Sequence, residues 1–391
     1  MSIKEASIDR VKTEAVPLPY AIRQIQIKNY HGIIDTHISG IPDDARWIFL
    51  TGENAFGKTA VLQALVMGLY GERDGKIILT DEDCEIRVEF KNKDQSQFNN
   101  LGHPDHKRFT KLVAYGPSRL LIQSQLGKNE EAGKSGATYS LFNDDGILLN
   151  IESELSRWYF KDKFRSKYEN VRRTLLRLLP DISDMRVDED TDEIFYVEKE
   201  NEETGETYEP LPFDKLASGY KSLIAMTGDM MLRLFRHHPD EDSPENLSGI
   251  VIIDELDLHF HPRWQRDMPV RLSEVFPKVQ FVASTHSVIP FLGAPENSVF
   301  LKVTRNRKEG IQLGRIDIDI RNLLPNTILT SPIFDFDDLI SHVNDDASRI
   351  RTEDVYNEIA FNDKVKEKLR AIASRGTDKI EGQFDTEDEP L

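Results

Sequence analysis

The chain has 391 residues, 39% hydrophobic and 30% charged, which supports a folded core and excludes a wholly disordered protein. Its single cysteine, Cys84, excludes an internal disulfide and any multi-cysteine metal site, fits a reducing cytosol, and is accompanied by no apolar run near the ~20 residues of a membrane-spanning helix. The net charge of -18 is concentrated, with 13 acids against 2 bases over residues 181–209 and 6 against 1 over 376–391, so acidity does not exclude a nucleic-acid partner for the rest.

Residues 1–20 carry no apolar secretory core and read as a mobile arm. Ile22, Ile25 and Ile27 among polar neighbours, a turn at His31-Gly32, and the stretch from Ile33 to Ile38 predict a hairpin. Trp47-Ile48-Phe49-Leu50 stops at Gly52 and predicts a buried strand. Val61, Leu62, Leu65, Val66 and Leu69 then recur at helical spacing up to Gly71. Short strands are expected at 76–79, 85–90 and 112–115. Ile151 to Leu179 predicts one helix ended by Pro180, with eight bases and two acids between Arg157 and Arg177. The acidic stretch that follows carries a strand at 194–197 and a turn at Gly205. A helix over Tyr220 to Arg236, a loop from His237 to Ser248, and buried strands at 249–254 and 279–283 complete the pattern, and the chain after Gly376 reads as a disordered tail. No heptad run long enough for a coiled-coil arm lies between Lys58 and Ser218.

Four motifs carry chemistry. Gly52-Glu53-Asn54-Ala55-Phe56-Gly57-Lys58-Thr59, followed by Ala60, lies between an apolar strand and a helix and matches the phosphate-binding P-loop. A glycine-bearing turn lets backbone N–H groups surround phosphate oxygens at a helix N-terminus, where the dipole favours negative charge. Lys58 is expected on the β- and γ-phosphates, and the Thr59 hydroxyl on Mg²⁺. Ile250 to Glu255 puts two carboxylates at the C-terminal end of a strand, the edge where open α/β sheets bind ligands. Asp254 is expected to hold Mg²⁺, and Glu255 to orient or deprotonate the attacking water. A third strand ends in Ser284-Thr285-His286-Ser287, with His286 either structural or a γ-phosphate contact. Ser218-Gly219 opens a helix, either as an ordinary N-cap or as an anion site. His259 and His261 come without the acids or cysteines of a further metal site.

In the order P-loop, Ser-Gly helix start, Asp-Glu strand and histidine strand, these motifs resemble the ATP-binding-cassette (ABC) ATPases. They are closer to the RecF/SMC-like and OLD-like group of bacterial AAA ATPases than to transporters. Gly52-x-Asn54-x-x-Gly57-Lys58-Thr59 resembles that group's P-loop, Asp254 to Pro262 its Walker B and D-loop, Ser284 to Ser287 its switch histidine, and Leu216 to Leu223 its signature. Ala55 stands where a glycine is frequent and Ala217 where a signature serine is usual, while Gly219 and the helix start are retained. The resemblance implies an α/β, ABC-type P-loop NTPase fold, a mixed sheet flanked by helices, over residues 21–305. An insertion of helices and strands would occupy about 72–210, and a 306–375 extension and a 376–391 tail would follow. It further implies ATP and Mg²⁺ as cofactors and catalytic roles for Lys58, Glu255 and His286. A head-to-tail homodimer or higher oligomer would place Ser218 and Gly219 of one subunit over ATP held by the other.

Tyr115-Gly116-Pro117-Ser118-Arg119 resembles a loop that these ATPases place near the nucleotide. Arg119 is therefore expected at phosphate or adenine, with a surface salt bridge as the alternative. Leu324 to Pro332 resembles a segment in ATPases of antiphage systems such as Septu, which work with a separately encoded effector. Together these readings imply a cytoplasmic ATPase, away from membranes, whose nucleotide-driven dimerisation controls a nuclease or toxin. A RecF-like repair ATPase that binds DNA through the Arg157–Arg177 face is the alternative, and a transporter ATPase subunit ranks below both.

Overall fold

The computed structural model describes residues 17–71, 83–123, 133–200 and 208–316, and beyond these 323, 325–331, 333, 334, 364, 365 and 368. The expected arm up to residue 16, the strand at 76–79, the Gly205 turn and the tail after Gly376 lie outside the described residues. The chain divides into two compact units, 1–336 and 337–391, and every element below belongs to the first.

The strands, in chain order, are β1 (Tyr20–Tyr30), β2 (Ile33–Ile38), β3 (Trp47–Thr51), β4 (Glu85–Asn92), β5 (Gln95–Asn100), β6 (Leu112–Tyr115), β7 (Ile182–Val187), β8 (Ile194–Glu198), β9 (Leu211–Pro212), β10 (Ser248–Ile253), β11 (Lys278–Ser284), β12 (Val299–Asn306) and β13 (Gly310–Ile316). Among the described residues, ten of them form one sheet in the order β5-β4-β1-β2-β13-β12-β3-β11-β10-β6. From β12 to β6 the pairing is parallel; from β5 to β12 it is antiparallel. The fold is α/β, a mixed sheet between helices, as the motifs imply.

Strand periodicity divides the core in two. Trp47 and Phe49 of β3, with Val251 and Ile253 of β10, face one apolar cluster, while Ile48 and Leu50, with Ile250 and Ile252, face the other. The P-loop helix, Lys58–Tyr70, packs on the second face through Val61, Leu62, Leu65 and Val66. The Ser218–Arg236 and Pro262–Val275 helices cover the first. Trp47 pins the latter, because its indole Nε1 donates to Ser273 Oγ at 2.8 Å and to the Pro269 carbonyl at 3.1 Å. Gln280, fully buried in β11, accepts from the Ile22 N–H at 2.7 Å and donates to the Ala45 carbonyl at 2.9 Å, serving β1 where its register shifts beside β4.

The helix expected over Ile151 to Leu179 is two helices. Ile151–Tyr159 stops, Asp162–Phe164 forms a 3₁₀ turn, and Arg165–Leu178 follows. Lys161 is extended, and the Arg165 guanidinium lies 4.5 Å from the Tyr159 ring centroid and 5.8 Å from that of Tyr168, clamping the corner. Trp158 and Tyr168, on either side of the break, are both buried in the same core. The expected boundary at 305/306 falls inside β12. β13 continues the main sheet, and Ile328 and Ile333 join its core, so the compact unit extends well past residue 305.

β7-β8-β9 form a small separate sheet. The Tyr196 hydroxyl of β8 donates to Glu152 Oε1 at 3.0 Å. Burial, with lesser help from Glu193 and Asp214 and against the Tyr196 hydrogen bond, pushes the Glu152 carboxyl up to about 7. A folded pKa above the unfolded value of 4.5 means the proton stabilises the fold below 4.5, and that this gain is lost as pH rises through about 7. Glu152→Gln, which keeps the acceptor for Tyr196, is therefore expected to raise stability at pH 8 by roughly 2–3 kcal/mol and to leave it unchanged at pH 4. Urea unfolding at the two pH values measures this, and an equal effect at both would contradict it.

Candidate active site

β11 lies between β3 and β10, so the C-terminal ends of these three parallel strands sit side by side. The P-loop leaves β3, the acids leave β10, and Ser284 to His286 leave β11. The P-loop rests on β12 and β13. A Cβ at Gly52 (φ +146°) would come 2.3 Å from the Val303 carbonyl oxygen, and one at Gly57 (φ +98°) 2.4 Å from Ile311 Cδ1. Close approach to backbone and positive φ both require glycine at position 52, while at Gly57 the positive φ is the main requirement, since the Ile311 side-chain tip could shift. Ala55 adopts φ +63°, the left-handed region that the glycine frequent there would enter without cost, and its carbonyl accepts from Arg305 of β12 at 3.4 Å.

The expected residues converge. Lys58, 5% exposed, donates from Nζ to the Gly52 and Glu53 carbonyls at 2.8 and 3.1 Å, and lies 3.1 Å from His286 Nδ1. Burial lowers the Lys58 pKa, opposed by Asp254, Glu255 and Asp257. Burial and then Lys58 also lower that of His286, which suits an unprotonated Nδ1 accepting from the lysine. Thr59 Oγ1 donates to Asp254 Oδ2 at 2.6 Å, and Ser284 Oγ donates to Asp254 Oδ1. Both oxygens of this 1%-exposed carboxylate are thereby fixed by hydroxyls. Ser284 Oγ also accepts from the Glu255 N–H at 2.8 Å. Glu53, Asn54 and Ala55 are exposed, while Phe56 and Ala60 pack against the core beneath the loop. A hydroxyl and a carboxylate, both hard oxygen donors, fit Mg²⁺.

Two residues inside these motifs have roles that the motifs did not assign. Asp257 Oδ1 accepts from Thr285 Oγ1 at 2.6 Å and from the His286 N–H at 3.3 Å, and so sets the loop that carries the histidine. Ser284 organises both acids. The signal for each was faint: one acid three residues after Asp254, and hydroxyls just before a histidine.

Arg119 departs from its expected place. It is fully buried, and its Nη2 donates to the Glu255 carbonyl at 2.6 Å while Nη1 meets Met226 Sδ at 3.6 Å. Burial lowers its pKa to about 10, against the pull of Asp254, Asp257 and Glu255. The arginine is thus not a surface ion pair; its guanidinium is engaged with the acidic turn. Ser218 and Gly219 stand apart from the Lys58 cluster. Ser218 is exposed at the start of its helix, where Ala217 caps without a side-chain bond, and Gly219 faces the His259 carbonyl and Trp264. His261 serves as an N-cap, its Nδ1 accepting from the Arg263 N–H at 3.3 Å.

Residues 48–291 match the family described as "AAA domain, putative AbiEii toxin, Type IV TA system". The chain belongs to this AAA-domain family. It is 25% identical over 346 residues to the Septu protein PtuA of Bacillus mycoides, a match covering 83% of this chain and 46% of that protein. It is 47% identical over 72 residues to the retron Vc95 probable ATPase of Vibrio cholerae, covering 18% and 14%. With the retron Ec83 probable ATPase of Escherichia coli it shares 29% identity over 167 residues, covering 43% and 29%. The chain thus spans less than half the length of the curated relatives it matches. The SMC head domain from Thermotoga maritima aligns at 14% identity and a TM-score of 0.41, covering 76% of this chain and all of that one. Membership in the AAA family implies nucleotide binding. No helix among the described residues is long and apolar enough to cross a membrane.

Proposed function

We propose that this chain is an ATP-hydrolysing subunit of an antiphage defence system of the Septu or retron kind, acting in the cytoplasm through a separately encoded effector such as a nuclease or toxin. The observation that carries the hydrolytic reading is the single cluster of Lys58, Thr59, Asp254, Glu255 and His286 around one P-loop. Similarity to the Septu and retron proteins supports the defence setting.

In this reading the P-loop N–H groups and Lys58 bind the phosphates, and His286 faces the γ-phosphate from beside Lys58. Thr59 and Asp254 would hold Mg²⁺, which, when bound, neutralises phosphate charge. Glu255 takes the proton of the attacking water. The exposed start of the Ser218–Arg236 helix, with no acid in its first turn, offers free N–H groups to the nucleotide of a second subunit.

DNA binding through the Arg157–Arg177 stretch finds less support, because most of its bases are engaged within the chain. Arg157 pairs with Glu154, Arg172 with Asp184 and Arg177 with Glu245, while Lys167 lies 3.7 Å from the Phe235 ring centroid.

Ser218→Asp tests the shared site. A negative charge at a helix N-terminus stabilises the helix by about 0.3–1 kcal/mol, so the variant should melt at or slightly above the parent temperature. The same charge repels a partner's γ-phosphate, so Mg²⁺-dependent phosphate release should fall at least tenfold. Mixing Ser218→Asp with Lys58→Ala subunits rebuilds one undamaged composite site and should restore part of the activity. No recovery in demonstrated heterodimers would favour sites that act independently within each chain or that must fire together.

A further inference from the structure

Arg119 is a fully buried charge outside the four motifs. Its side chain is fully excluded from solvent, and its Nε has no hydrogen-bond partner among the described residues. Its strong bond goes to a backbone oxygen, the Glu255 carbonyl, at 2.6 Å. Taking a guanidinium out of water costs several kcal/mol unless the surroundings repay it. Here the repayment is the field of Asp254, Glu255 and Asp257 together with that one carbonyl.

The residue it holds is strained. Glu255 has φ +51°, a left-handed conformation that a glutamate adopts only when its surroundings impose it. Three bonds impose it. The Glu255 N–H donates to Ser284 Oγ at 2.8 Å, and its carbonyl accepts from Arg119 and, at 3.1 Å, from the Leu258 N–H. Ser284 is on β11 and Leu258 on the turn itself, so Arg119 supplies the restraint from the far side. Met226, on the helix that begins at Ser218, closes against the other end of the guanidinium at 3.6 Å.

We infer that Arg119 is a positioning residue for Glu255: it fixes the backbone from which that carboxylate projects toward the reacting water, without touching the nucleotide. This rests on the hydrolytic reading above. It predicts that loss of Arg119 lowers turnover while leaving nucleotide affinity intact, the reverse of what a phosphate-binding arginine would do.

Arg119→Met keeps much of the volume and removes the charge and every donor. Its kcat for ATP is expected to fall at least tenfold, with the Kd for ATP, measured by titration with Mg²⁺ present, within about twofold of the parent. Hydrogen exchange at Glu255 and Leu258, whose N–H groups close this turn, should quicken, while the P-loop helix keeps its protection. Arg119→Lys can still donate to the carbonyl and should recover part of the lost kcat and protection; it also serves if the Met variant fails to fold. A tenfold weaker Kd with unchanged exchange would make Arg119 a nucleotide ligand and overturn the inference, as would parent kcat with parent exchange in Arg119→Met, or a lost kcat with parent exchange in Arg119→Lys. Parent-rate turnover in Glu255→Gln would instead remove Glu255 as the base, and the exchange measurement would still decide whether Arg119 holds the turn.

Discussion

Lys58→Ala is expected to lower ATP turnover by about 100- to 1000-fold, the loss typical when one preorganised charge is taken from a site where phosphate charge develops. The structure explains why no neighbour can replace it. The Lys58 ammonium is held by the Gly52 and Glu53 carbonyls within the loop itself and stands against His286. A second cation that reaches this loop, Arg305 of β12, is engaged with the Ala55 carbonyl. The variant should nevertheless fold. Burial lowers the Lys58 pKa, so the folded state disfavours this charge, and its removal relieves a desolvation cost while forfeiting three hydrogen bonds, to two carbonyls and to His286. These terms oppose each other, so unfolding free energy should stay within about 1 kcal/mol of the parent. Phosphate release and thermal melting on the same preparation check both halves. Parent-rate hydrolysis by Lys58→Ala would reject the site.

Much of this arrangement was legible because the sheet strands that carry chemistry are continuous apolar runs with abrupt polar ends. Trp47 to Leu50 stops at Gly52, Ile250 to Ile253 at Asp254, and Phe281 to Ala283 at Ser284, so strand and functional edge are marked by the same step in polarity. What stayed hidden has no such step. β5, Gln95–Asn100, has almost no apolar residue and exists because β4 offers it a hydrogen-bonding edge. The Pro262–Val275 helix has an interior Pro269 and a diluted apolar face, and is held partly by a tryptophan more than two hundred residues away in the chain. The corner at Phe160 depends on ring and guanidinium packing, to which a 3.6-residue period is blind. Arg119 shows the limit most sharply. A charged residue in a loop after Pro117 reads as exposed or ligand-binding, and only the folded chain brings the Glu255 carbonyl and Met226 to it.

Glu255→Gln should separate binding from chemistry. The amide matches the carboxylate in shape, so the left-handed backbone at φ +51° and its bonds to Ser284 and Arg119 are preserved. What is lost is the proton acceptor, and general-base catalysis of this kind contributes about 100- to 10,000-fold. One negative charge also leaves a cluster that already contains Asp254 and Asp257, and the phosphates of ATP are anionic. Affinity for ATP should therefore hold or tighten slightly, the opposite of Lys58→Ala. With binding intact and turnover blocked, an ATP-bound, closed assembly should accumulate. Gel filtration after incubation with ATP and Mg²⁺ is expected to show nucleotide co-eluting with a species larger than the nucleotide-free protein. Turnover at the parent rate would reject Glu255 as the base and shift attention to Asp257 and His286, whose two loops are joined by the bond from the His286 N–H to the Asp257 carboxylate. Loss of both binding and turnover would mean instead that the carboxylate holds the site together, and the volume-matched substitution makes that outcome readable.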